Sequence, residues 1–139
     1  MPGVPIAEFT ETKKTYGSLI AKKYDVNGIY ICEAQVKGIR GNRSQTEVLY
    51  TVTFDLSSFP EALPQIFVKD PPDNQIMHAN VFHASNCPFL NIPLPYLCPG
   101  ALAGIWNTLP KDKRNLNVLL GGIHQILNIE NFNSPARRP

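Results

Sequence analysis

The chain has 139 residues, a formal net charge of +2 and 17% charged side chains. That length implies one domain over residues 1–139 with a single core, and so small a charge excess gives no sign of nucleic acid as the main partner, so none is expected. No apolar run is long enough to cross a bilayer, and the start, MPGVPIAEFTETKK, lacks the basic and apolar regions of a secretory signal, so the expectation is a cytoplasmic protein with no membrane partner.

Residues 7–24 read as one helix, with Phe9, Tyr16, Leu19, Ile20 and Tyr24 near helical spacing and Gly17 against it. GIYICEAQVKGI (28–39) and TEVLYTVTFDL (46–56) alternate and are rich in β-formers. The turn chemistry of GNRS between them predicts an antiparallel hairpin, with Val48, Tyr50, Val52 and Phe54 on one face. QIFVK (65–69) reads as a third strand. From 70 to 110 proline recurs at 71, 72, 88, 93, 95, 99 and 110. The reading there is a long irregular segment, of the kind that usually carries function. Within it, NIPLPYLCPGALAGIW (91–106) reads as neither regular helix nor central strand.

RNLNVLLGGIHQILN (114–128) is an amphipathic helix with a stripe of Leu116, Leu119, Leu120, Ile123, Ile126 and Leu127. Asn115 fits its start and Asn128 its end. Gly121 and Gly122 lower its propensity, which implies that another element packs against them. The whole is an α+β domain with a helix over an antiparallel sheet.

Three cysteines, Cys32, Cys87 and Cys98, are odd in number and loosely spaced, against a disulfide framework. Cys32 alternates with Tyr30 and Ala34 and reads as core. Cys87 reads as a loop thiol, with an alternative role as nucleophile. Cys98 lies between Pro95 and Pro99, which would hold it on rigid backbone. His78, His83, Cys87 and Cys98 have metal-ligating side chains, but their spacing is not that of a standard finger or knuckle. The expectation is no metal and no organic cofactor. Trp106 reads as packed beside the last helix, and His124 as satisfied or exposed within it.

The order of elements, read with these motifs, resembles the ubiquitin-conjugating enzymes, the E2 family, over roughly residues 28–136. FPEALPQIFVKDPP is similar to the family's passage into its third strand. HANVF (78–82) resembles its His-Pro-Asn box, with alanine for proline. Trp106 follows Cys98 by eight residues, as in the family, and NFNSPA resembles the turn beyond its helix. Two departures accompany the match. The box lies about twice as far from Cys98 as is typical, with FHASNCPFLNIPL as an insertion. IPLPYL also resembles the non-catalytic UEV variants, an alignment that sets Pro93 at the catalytic position.

The resemblance implies an α+β, UBC-like fold: an antiparallel meander sheet, an N-terminal helix, a long ordered active-site segment and a C-terminal helix. It implies a thioester on Cys98, Asn80 supplying or supporting the oxyanion site, and Asp112, the nearest acid past the tryptophan, assisting the attacking lysine. The implied partners are an E1-like activating enzyme, a ubiquitin-like modifier and a target protein, and the implied setting is that of the antiphage operons where short bacterial relatives occur. The alternative is a UEV-like module that binds a peptide or ubiquitin-like surface without chemistry.

Overall fold

The computed structural model describes residues 3–136. They form an α+β structure with one six-stranded antiparallel sheet and three α-helices. Its centre is the predicted hairpin, β2 (Gly28–Gly41) and β3 (Ser44–Asp55). The register sets Cys32 opposite Phe54, Ala34 opposite Val52 and Val36 opposite Tyr50, so the alternating apolar residues share one buried face. Asn42 and Arg43 both have positive φ, 52° and 68°, as a two-residue turn matched to the strand twist requires. The predicted third strand is β4 (Ile66–Asp70), paired with β3.

The expected helix over 7–24 is two elements. α1 (Ile6–Thr15) stops before Gly17, and β1 (Ile20–Asp25) pairs along the edge of β2. Leu19 is fully buried and Ala21 packs on the core. These two residues alternate inward, which is strand spacing; burial against β2 outweighs the helical spacing read from Tyr16, Ile20 and Tyr24.

The expected irregular segment is largely regular. β5 (Val81–Cys87) and β6 (Ile92–Leu97) form a hairpin, and α2 (Ala101–Thr108) follows. The strand order is β1-β2-β3-β4-β6-β5, so β6 lies inside the sheet despite Pro93 and Pro95. Successive strand N–H groups point to opposite neighbours, so prolines two apart withdraw donors from one neighbour only. The ladder to β4 is the sparse one, with the single registered pair Phe67–Tyr96. The ladder to β5 runs from Val81–Leu97 to Cys87–Ile92. Gly100 precedes α2 as its N-cap residue, at φ 52°, ψ −131° with open space where a side chain would sit. Its glycine is needed for that backbone conformation, not for room.

α3 (Leu116–Asn128) lays Leu116, Leu119, Leu120, Ile123 and Leu127 into the core, with Ile126 partly buried beside them. Asn115 caps its start, its Oδ1 accepting from Val118 N at 2.9 Å. Glu8 of α1 accepts from Leu116 N at 2.8 Å. Asn128 is the last helical residue; its amide donates to the carbonyls of His124 and Lys37, while Ile129 is the cap itself. The glycines differ. Gly122 has Leu102 of α2 against it, whereas Gly121 meets only the Tyr16 hydroxyl at ordinary contact. Trp106 is buried, donates to Pro60 O at 3.0 Å and packs on Phe59.

α3 seats on β2 at Gly38, where an added Cβ would lie 2.7 Å from Leu127 O and 2.8 Å from Leu127 Cβ. Gly38→Ala is expected to destabilise the fold by about 1–3 kcal/mol, the usual range for overpacking. A urea titration should show a lower midpoint at unchanged m-value; an unchanged midpoint would refute this seating.

Candidate functional site

The segment His78-Ala79-Asn80 leads into β5, beside the C-terminal end of α3. His78 has no exposed surface. Asn80 N donates to its Nδ1 at 3.1 Å, and its Nε2 lies 3.0 Å from Leu127 O. A carbonyl can only accept, so Nε2 carries the proton and Nδ1 the lone pair. This is the neutral ring with both nitrogens used. Burial pushes the His78 pKa below the ordinary histidine value, and the Leu127 bond and the nearby Glu130 charge only partly oppose it.

Asn80 is also buried. Its Nδ2 donates to Ile126 O at 2.8 Å and to Ile129 O at 2.6 Å, and its Oδ1 accepts from Asn131 N at 3.0 Å. Its own carbonyl accepts from Cys98 N at 2.7 Å. One residue thus ties the end of α3, the chain beyond it and the cysteine to β5. Glu130 completes the clasp. Its carboxylate accepts from Ala79 N and Asn42 N at 2.9 Å and from Arg43 N at 3.1 Å. Partial burial works against its ionisation, but the backbone donors Ala79, Arg43 and Asn42, with His78 nearby, outweigh it and hold the carboxyl below the ordinary glutamate range. Gly41 is required here: its φ is +92°, and a Cβ would lie 2.5 Å from His78 Cα.

Cys98 stands between β6 and α2 and is partly exposed. It lines a cleft of about 220 Å³ with Asn80, Gly100, Gln125, Ile126, Asn131 and Ser134, among others. α2, whose N-cap Gly100 offers no side-chain cap, begins three residues beyond it. The structure therefore brings Cys98 and Asn80 together. Asp112 is exposed on a one-turn 3-10 helix, Lys111–Lys113, and is not among the residues lining that cleft. Ile126, Ile129, Asn131 and Glu130 are the site residues that sequence reading missed. Only the NFNSPA resemblance pointed towards their neighbourhood; no spacing rule marks Glu130.

The other thiols are fully buried. Cys32 is core, as expected, and burial pushes its pKa up to about 12. Cys87 is not a loop thiol. It ends β5 and packs with Phe67 and Leu94 in a second small cluster that Phe89 and Tyr96 flank. His83 is exposed and lies 3.2 Å from Asp73. Among the described residues no three His, Cys, Asp or Glu side chains converge as metal ligands, and no helix is long and apolar enough to cross a membrane. His124 is exposed on α3.

No family model, curated protein or solved structure matches the chain.

The clasp makes stability depend on pH in a defined sense. Above the unfolded histidine value of 6.5, His78 is neutral in both states and its contribution is constant. Below it the unfolded chain takes up a proton that the folded chain resists, so stability falls as pH drops towards the folded value, by at most about 1.4 kcal/mol per pH unit. Glu130, lowered from 4.5, adds a second loss below that pH, because protonation removes a carboxylate that only the folded state stabilises. Urea midpoints measured from pH 8 to 5 should fall below about 6.5 in the natural chain. They should run flatter in His78→Gln; parallel profiles would exclude His78 as the source.

Proposed function

We propose that the chain is an E2-like conjugating enzyme that accepts an activated protein C-terminus, such as that of a ubiquitin-like modifier, as a thioester on Cys98. It then transfers the acyl group to a target amine. One observation carries the reading: of three cysteines, only Cys98 reaches solvent, and it does so in a cleft shared with Asn80. A buried apolar thiol is inert, whereas an acyl carrier must be accessible and held still. The Cys98–Asn80 backbone bond and the prolines at 95 and 99 provide that hold. An E1-like enzyme supplies the activated modifier, and the resemblance favours a bacterial antiviral setting.

In charging, Cys98 loses its thiol proton to solvent, Sγ bonds to the acyl carbon, the bond to the donor's sulfur breaks, and the donor thiolate leaves with the electron pair. In transfer, a lysine amine attacks the same carbon. The C–S bond breaks, Cys98 thiolate is released and the new amide loses a proton to solvent. Both steps pass through an oxyanion. Asn80 has both amide hydrogens committed to Ile126 O and Ile129 O, so its part is to support the site. Leu102 N in the first turn of α2 is already given to Pro99 O, so this scheme assigns the charge to the other backbone N–H groups at the start of that helix. Asp112, away from the lining of the cleft, has no part in this scheme.

A second reading, a UEV-like binding module without chemistry, draws support from the same commitment of the Asn80 amide, which leaves no side-chain oxyanion donor from the box. Intact mass under non-reducing conditions separates the two. After incubation with the activating enzyme, modifier and ATP, a reductant-sensitive adduct is expected. It should persist in Cys87→Ala and disappear in Cys98→Ala, and Cys98→Ser should form a more stable oxyester. No adduct on a proven-active modifier would favour the binding module; an adduct that survives Cys98→Ala would reject this nucleophile.

A further inference from the structure

A second cleft, of about 330 Å³, runs between β6, α2 and the stretch that enters β4. It shares Pro99, Leu102 and Ile126 with the cleft at Cys98, so the two form one surface on either side of Leu102. Leu102 is fixed by its close fit on Gly122. Among the described residues, neither cleft is lined by an Asp, Glu, Lys, Arg or His. The chain carries 24 charged side chains, 13 basic and 11 acidic, so their absence from both walls is selective. Two of the exposed large apolar residues, Ile105 and Ile129, at 52% and 61% exposure, line the Cys98 cleft. They extend the apolar lining of that cleft to its solvent-facing rim.

We infer that this double cleft selects the acyl donor by its tail: an extended C-terminal segment with uncharged, apolar side chains just before the acyl carbon. The inference rests on Cys98 as the acyl carrier. The occupant follows from where the clefts meet. They join at Pro99, next to Cys98, so what fills them is continuous with what the thiol carries. Gln125 and Asn131 add amide side chains to the residues lining the Cys98 cleft; Asn131 Oδ1 already accepts from Asn133 N at 3.0 Å, so Gln125 is the amide this reading assigns to a peptide backbone. The Leu63, Leu97, Leu102 and Ala103 walls of the second cleft suit aliphatic side chains. A charged side chain entering there would lose hydration and find no opposite charge.

The test uses the full chain and synthetic N-acetyl peptide thioesters ending in Gly-Gly. They carry two leucines, two arginines or two glutamates before the glycines, with acetyl thioester as the reference for bare thiol reactivity. Intact mass gives the rate of Cys98 acylation. Sγ forms the new thioester, the leaving thiolate takes the electron pair and the Cys98 proton passes to solvent. Relative to acetyl thioester, the leucine peptide is expected to react about tenfold faster than either charged peptide. In Gln65→Glu, which places a carboxylate on the second cleft, the arginine-to-leucine rate ratio should rise about fivefold. Equal rates for the three peptides, with Cys98 reacting, would overturn the inference and leave the acyl-carrier reading standing. The free leucine peptide acid, titrated by NMR, covers the other case. Shifts at Leu102 and Ile126 methyls with an inert thiol would overturn the acyl-carrier reading and support the cleft as a site for apolar tails. Neither reaction nor shifts would overturn both.

Discussion

The side-chain amide of Asn80 is the contact on which the site depends. It donates to two carbonyls where α3 ends, accepts from the chain just beyond, and lies one carbonyl away from the Cys98 backbone. Only an amide can do this. A carboxylate would set negative oxygens against Ile126 O and Ile129 O, and an apolar side chain would strand buried polar groups at about 1–3 kcal/mol each. His78 and Glu130 extend the same logic. The neutral ring takes one backbone donor and gives to one carbonyl, and the carboxylate gathers three N–H groups from the hairpin tip and the box. Three residues therefore convert loose ends of four elements into one wall of the Cys98 cleft. A network satisfied this fully specifies a single arrangement, because partial breakage is costly.

The opposite wall comes from the proline-rich segment. β6 ends at Leu97 and α2 begins at Ala101, so Cys98 sits in the three residues between a strand and a helix. Pro99 fixes one φ, Gly100 supplies a backbone conformation that side chains resist, and Pro99 O accepts from Leu102 N as the helix starts. Leu102 then locks on Gly122 and Trp106 on Phe59 and Pro60. The rigidity around the thiol is thus tertiary as well as local. The prolines exclude alternatives, and packing of α2 on α3 selects among what is left.

Much of this was legible from residue patterns. The β2–β3 hairpin, β4, α3 and its Asn115 cap follow from alternation, turn chemistry and the 3.6 period, each a local signal that tertiary structure reinforced. The failures share a cause. β1 was hidden because Tyr16, Ile20 and Tyr24 also fit helical spacing, and only pairing with β2 decides between the two. β5, β6 and α2 were hidden because proline reads as a breaker, yet Pro93 and Pro95 disable one edge of β6 while its partner β5 uses the other. Of the residues lining the candidate site, Cys98 and Asn80 were singled out by residue type and motif order. Glu130 and Ile129 were not, since their roles arise from a backbone path that no spacing encodes.

The three cysteines show why a structure adds something that composition cannot. By sequence, Cys87 and Cys98 are both thiols in a proline-rich stretch, and Cys87 lies nearer the box. Pairing resolves them. Cys87 faces the cluster of Phe67 and Leu94, across the ladder from Ile92, where no donor could reach its sulfur without opening the hairpin. Cys32 lies in the main core, where burial pushes its own pKa up to about 12 and removes its thiolate from neutral pH. Cys98 escapes burial because the strand ends one residue before it and the helix has not begun. The irregular link of three residues, Cys98 to Gly100, is therefore the feature that lets this fold expose a thiol while fixing its backbone on both sides.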